Sequence, residues 1–335
     1  MKYLKSLLSY LTSKSGLRIL GILIFFLVIW KVDLPRVLTL LKSASFLKIS
    51  YGVLLSIPLL MIRSYRWNRL KRIFEITVPI LESFYLQLLG QMGNMTPGKA
   101  GEFIKAIYLK SDGEPLGLSA VSVIFDRLFD VLVVVSVAGV ASTYFFPGLI
   151  QVNVLSGSML IGLIVLAVTV AYFRVSLFAG IRSIMLTLIP DWVENRVGDF
   201  STTLKCHLQK VTVVELFTLV TLTLLAFVLQ VLRILFFSQA LNISVSFLPL
   251  AGIVAILSLS NMLPVSFMGL GTRDAVFLYF FGLLGVAPEN SIGVSFIILA
   301  NIIIFSSLGF LLFILDPPSF QLDQFIASKK SQEEP

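Results

Sequence analysis

The amino-acid sequence predicts an all-α, polytopic membrane protein with about six full spans. Two further segments, broken by Pro and Gly, are expected to re-enter the bilayer and to form an inverted repeat. Three observations carry this expectation: the composition is too apolar for a soluble fold, runs of spanning length recur along the chain, and the two broken segments match one another. Of 335 residues, 57% are hydrophobic and 13% charged, against about 25% charged in ordinary soluble domains. Runs of roughly 20 apolar residues suit a hydrocarbon core of ~30 Å. An unpaired backbone amide there costs several kcal/mol, which enforces helix. The runs are continuous rather than alternating, which argues against a β-barrel.

The expected spans cover about 17–31, 46–62, 118–146, 153–173, 213–241 and 291–315. The first follows Lys2, Lys5, Lys14 and Arg18 and ends at Trp30-Lys31 without a small-residue cleavage site, so it reads as an uncleaved span. Basic clusters set the sides. Arg63, Arg66, Arg69, Lys71 and Arg72 place 63–75 in the cytoplasm, with Arg63, Arg66 and Arg69 on one helix face beside Trp67 as an interfacial anchor. The basic stretch 174–212, read as interfacial helices, returns to the cytoplasm, while the uncharged turns 147–152 and 239–246 fall outside. Lys31, Arg36, Lys42 and Lys48 conflict with this scheme unless an amphipathic helix lies in the interface there. Residues 1–318 are thus expected to form one multi-pass domain of the cell (cytoplasmic) membrane with both termini cytoplasmic, and 319–335 a polar tail. The net charge of +8 fits positive-inside loops and an anionic leaflet rather than nucleic acid. One cysteine, Cys206, and one histidine, His207, exclude an internal disulfide and a His- or Cys-rich metal site.

The broken segments cover about 77–111 and 247–286, within repeat elements of about 77–146 and 247–315. Asn94-Met95-Thr96-Pro97 matches Asn261-Met262-Leu263-Pro264 at an offset of 167 (261 − 94). After five extra residues the offset becomes 172, where Glu102 meets Asp274, Gly113 meets Gly285 and Ser119 meets Ser291. Opposite sidedness of the two segments makes the repeat inverted. Broken segments in inverted repeats are where transporters place their sites, near the bilayer midplane.

Several charged residues stand out within apolar runs. Asp126, Arg127 and Asp130 lie roughly 12 Å into a helix starting near Leu118, with both acids on one face. Each charge costs about 2.5–3.5 kcal/mol at the centre of a lipid-facing helix, so the three must pair, reach an interface or line a wet cavity. They are either a structural ion-pair lock or a headgroup site with Arg127 on the phosphate. Pro97, Gly98, Lys99, Gly101, Glu102 and Lys105 follow the first break, where a helix N-terminus favours an anion. Gly269, Gly271, Arg273 and Asp274 take the same place in the second. Helix capping and a Glu102–Lys105 surface pair are the plainer readings. Arg233, one turn after Gln230, is either a snorkelling residue or part of a site.

At these residues the chain resembles the family of the lysylphosphatidylglycerol synthase transmembrane region, flippase-like integral membrane proteins. The likeness runs from the first span to about 315. Its first motif looks like Asn94, Pro97, Gly101, Glu102 and Lys105, where Arg is more usual than Lys105. The acid-Arg-x-x-Asp pattern is similar to Asp126, Arg127 and Asp130. The second motif looks like Asn261, Pro264, Ser266, Gly269, Gly271, Arg273 and Asp274, with Asp274 for the commoner Glu and a bulkier turn at Phe267-Met268.

The resemblance implies movement of an anionic or aminoacylated phospholipid, or a lipid-linked intermediate, between leaflets. The fifteen motif residues are expected to form the substrate path, without cofactor or metal, and membrane lipids are the expected partners. Nothing in the chain is long enough for the soluble aminoacyltransferase domain of the family's bifunctional members, so catalysis is not expected. The alternatives are a non-catalytic partner of a lipid-modifying enzyme and a membrane-embedded transferase acting on lipid-linked sugars.

Overall fold

A computed structural model describes residues 32–95, 102–111, 116–145, 211–262 and 268–315. The expected spans 17–31 and 153–173, the interfacial helices of 174–212 and the tail lie outside the described residues. Among the described residues every regular element is helical. In chain order they are α1 (Leu34–Ser43), α2 (Phe46–Leu54), α3 (Ser56–Ile73), α4 (Ile80–Gly90), a 3-10 turn (Gln91–Met95), α5 (Ile104–Ser111), α6 (Leu116–Phe145), α7 (Val213–Ala240), α8 (Phe247–Ser260), α9 (Thr272–Leu283) and α10 (Pro288–Leu315).

Three helical stretches, Phe46–Ile73, Val214–Ala240 and Pro288–Leu315, are long and apolar enough to cross a membrane. Helix α6, of 30 residues, is about 45 Å long at 1.5 Å per residue and carries the three charged residues. The pieces beside the breaks are shorter: α8 has 14 residues and reaches about 21 Å, less than the ~30 Å core. Large apolar side chains such as Phe46 (82% exposed), Phe217 (72%) and Leu315 (71%) face outward, as lipid contact requires and a soluble protein would avoid. Helix α1 is the amphipathic helix expected before the first described span. It starts at an Asp33 cap and a proline, and it packs Val37 against Ile292.

One expectation is overturned. The basic run from residue 63 lies on α3, which continues through Ile73. Arg66 and Trp67 are 1% and 0% exposed, so the arginine face is not an interfacial anchor. The helix continues inward because acids of α6 meet its arginine there.

The repeat extends further than the motifs. Helices α2–α3, α4, α5 and α6 are followed in the second half by α7, α8, α9 and α10, in the same order of long, half-length, short and long. The start points of the first two pairs differ by 167 (213 − 46 and 247 − 80) and those of the last by 172 (288 − 116). Glu75 and Asn242, also 167 apart, both adopt positive φ, 61° and 58°. Each ends its long helix with the same backbone bonds: Ile76 N to Lys71 O, and Ile243 N to Ser238 O, both 3.1 Å.

The two long helices run antiparallel. Ser45 N donates to Ala240 O at 2.9 Å and Lys48 Nζ to Gln239 O at 3.0 Å. Further along, Ser56 meets Arg233, and further still Arg66 meets Thr223. Partner numbers fall as residue numbers rise. Equivalent helices that cross a bilayer in opposite directions make the repeat an inverted one. The halves also interlock, with α4 of the first packed on α10 of the second and α8 of the second on α6 of the first.

Candidate functional site

Residues flanking the two breaks line a polar cavity of about 150 Å³. Gln91 and Glu102 reach it from the first break, and Asn261, Met262, Met268 and Gly269 from the second. Helices α3, α6, α7 and α10 supply the remaining wall, which alternates side chains such as Leu59, Val133 and Phe227 with Ser56, Arg63, Asp130, Arg233 and Asn301.

On the α6 side the charges form a closed cluster. Arg66 uses its whole guanidinium: Nε donates to Asp126 Oδ1 at 2.9 Å, Nη1 to Asp130 Oδ1 at 2.6 Å and to Thr223 Oγ1 at 2.9 Å, and Nη2 to the Asp126 carbonyl at 3.1 Å. Arg127 pairs with Glu102, which follows the first break, and with Asp130 at 3.2 Å. Asp130 therefore bridges two arginines, each bond charge-assisted and sheltered from water. Asp126 is 0% exposed and sits behind the cavity wall, whereas Asp130, Arg127 and Glu102 line it.

The second break holds a smaller cluster. Gly271, at φ 81°, begins α9, and its N–H donates to Asp274 Oδ2 at 2.8 Å, an acid in the first turn where the helix dipole favours it. Arg273 Nε donates to Ser295 Oγ at 2.6 Å, and Ser295 Oγ in turn donates to Asp274. Arg273 lines the cavity yet is 1% exposed, and Asp274 is equally buried. Gly269, at φ 77°, packs on Asn261, for a Cβ there would lie 2.9 Å from Asn261 Oδ1. Asn and Gly of the second motif are thus in direct contact.

Lys105 lies apart from the cavity. It is fully buried, donates to Gln87 Oε1 at 3.0 Å and stands 4.7 Å from the Trp67 ring centre. Lys71 lies 4.1 Å from the same ring, and Trp67 Nε1 donates to Ser122 Oγ at 3.1 Å. A cation–π contact thus ties α5 to α3 and a hydrogen bond ties α3 to α6, and this packing replaces the expected Glu102–Lys105 surface pair.

Of the sequence-derived residues, Glu102, Arg127, Asp130, Asn261, Gly269 and Arg273 line one cavity. Asp126, Gly271 and Asp274 brace it from behind. Pro97, Gly101, Pro264 and Ser266, like the Asn94 side chain, lie outside the described residues. The motifs did not include Ser56, Arg63, Gln230, Arg233 or Asn301. These form a polar chain on the far wall: Arg63 Nη2 donates to Gln230 Oε1 at 3.0 Å, Gln230 Nε2 to Ser258 Oγ at 3.1 Å, Arg233 Nη1 to Ser56 Oγ at 3.3 Å, and Ser56 Oγ to Asn301 Oδ1 at 3.3 Å. Carrying the 167-residue offset upstream of Asn94 aligns Ser56 with Thr223, Arg63 with Gln230 and Arg66 with Arg233. That signal was available in the sequence.

No curated protein and no solved structure matches the chain. The family described as the lysylphosphatidylglycerol synthase TM region matches residues 14–309, which include both breaks, the acid–arginine cluster and the helices of both halves as far as residue 309 of α10. The chain therefore belongs to the lysylphosphatidylglycerol synthase transmembrane-region family.

Proposed function

We propose that this chain is a lipid translocator, passing the headgroup of a phospholipid or lipid-linked intermediate through the cavity while the acyl chains stay in lipid. The observation that supports it most is the polar cavity lined by residues flanking both breaks, set among helices whose outer surfaces are apolar. A charged group moving through hydrocarbon alone faces a prohibitive desolvation cost. Side chains already held in place by ion pairs replace its water without further reorganisation. An inverted repeat supplies two related arrangements in which such a cavity opens to one side or the other. This reading assigns no bond-making step to the chain.

The test uses proteoliposomes containing a headgroup-labelled anionic phospholipid and an impermeant external quencher. Wild-type protein should speed loss of the inner-leaflet signal over empty liposomes. Ser258→Trp, which fills the cavity from α8, should slow it at equal, verified insertion. The family's description as part of a synthase favours a second reading, a membrane partner of a lipid-modifying enzyme. Equal rates with wild type and empty liposomes across several lipid classes would favour that reading.

A further inference from the structure

The two halves treat the same arginine differently. Arg66 and Arg233 are 167 positions apart and make reciprocal bonds: Arg66 to Thr223 Oγ1 at 2.9 Å, and Arg233 to Ser56 Oγ at 3.3 Å, where Ser56 and Thr223 are themselves 167 apart. In the first half the guanidinium then meets Asp126 and Asp130. At the 172 offset those acids become Ile298 and Ile302, and both isoleucines line the same cavity as Arg233. Among the described residues Arg233 forms no ion pair, and its Nε is buried without a hydrogen-bond partner.

The charge balance points the same way. Arg66 and Arg127 face Glu102, Asp126 and Asp130, which leaves that cluster at −1. Arg63, on the same wall and hydrogen-bonded one turn away from Arg233, offsets it. Its Nε also lacks a partner. Among the described residues no acid pairs with Arg233. An uncompensated guanidinium within apolar helices is costly, and a planar fork with unused donors matches an oxyanion.

We propose that Arg233, assisted by Arg63, is a subsite for a phosphate oxyanion, which takes the place that Asp126 and Asp130 hold against Arg66. Identifying that oxyanion with a lipid headgroup rests on the translocation reading; the subsite itself does not. Its position at the second half's copy of the first half's ion pair means that a bound phosphate completes the symmetry of the two halves.

Binding to the purified full chain in neutral detergent tests this by calorimetric titration. The probes are dihexanoyl phosphatidylglycerol, inorganic phosphate and, as the neutral control, dihexanoyl glycerol. Wild type should bind at least one of the two anions saturably and the neutral control not at all. Binding of the phospholipid alone assigns the site to a headgroup, whereas equal binding of inorganic phosphate assigns it to a free oxyanion. Arg233→Gln should weaken anion binding about tenfold, the size of one lost charge-assisted hydrogen bond, while Arg233→Lys should recover part of it. Ile298→Asp should also weaken it, because it gives Arg233 the internal partner that Arg66 has. If Ile298→Asp does not fold, Arg233→Gln decides the matter, since it removes a charge without adding one. No saturable anion binding by wild type, or affinities unchanged in Arg233→Gln, would overturn the subsite. Arg233-dependent binding without faster lipid movement would sink the translocation reading and leave the subsite standing. Faster lipid movement by wild type, with anion binding that Arg233→Gln does not alter, would do the reverse.

Discussion

Arg63 donates a 3.0 Å hydrogen bond to Gln230, the residue that occupies its own position in the second half of the chain, 167 residues on. Two equivalent residues can touch in this way only near the axis that relates the halves. That axis therefore passes through the wall of the polar cavity, where α3 and α7 cross in opposite directions. The cavity is lined by residues flanking the two breaks and by both long helices.

Antiparallel pairing of the long helices can be checked directly. With Cys206 replaced by Ser, cysteines at Ser45 and Ala240 should form a disulfide on mild oxidation, since their backbones share a 2.9 Å hydrogen bond. A pair at Ser45 and Val213, which parallel equivalent helices would bring together, should not. The reverse pattern on a gel-shift assay would refute the inverted arrangement.

Arg66 holds two buried acids, so its loss should be felt in stability first. Arg66→Ala leaves Asp126 and Asp130 short of a partner and should cost about 3–5 kcal/mol, read as a lower melting temperature in detergent. Adding Asp126→Asn and Asp130→Asn should recover much of the loss. A triple variant no more stable than the single one would show that the cluster is not held by this pairing.

Gly269 and Gly285 share a φ of +77°, but only the first would press a Cβ onto a neighbour, 2.9 Å from Asn261 Oδ1. Both alanine variants should lose roughly 1 kcal/mol from the left-handed backbone. Gly269→Ala should lose more and should also slow lipid movement. Equal melting temperatures for the two would remove the Asn261 contact as a cause.

Gly309 lets α10 approach the segment before the first break, for a Cβ there would lie 2.5 Å from Leu88 O. The contact is with backbone, which cannot swing aside. Gly309→Ala should therefore cost about 1–3 kcal/mol by overpacking, whereas Gly282→Ala, with open space around it, should be close to neutral apart from a small helix gain. Thermal melts of the two variants against wild type decide it.

What the sequence by itself determined is the solvent, the helical class and the position of the breaks. Hydrocarbon leaves a backbone few choices, so apolar length alone yields spans, and proline with glycine marks where a span is broken. The short motif Asn-Met-x-Pro was enough to align the halves. The direction in which a basic residue points was not legible. Arg63, Arg66 and Lys71 read as a cytoplasmic basic segment, because clustered positive charge ordinarily marks one. Arg66 and Lys71 are instead buried, and Arg63 lines the cavity. Only the packing of α6 against α3, which sets Asp126 and Asp130 around Arg66, makes a buried guanidinium tolerable. Tertiary structure likewise decided that Glu102 pairs with Arg127 rather than Lys105, and that Arg233 is left without an acid. Ion pairing between distant helices depends on rotation and depth, and neither is written in the hydropathy of a single helix.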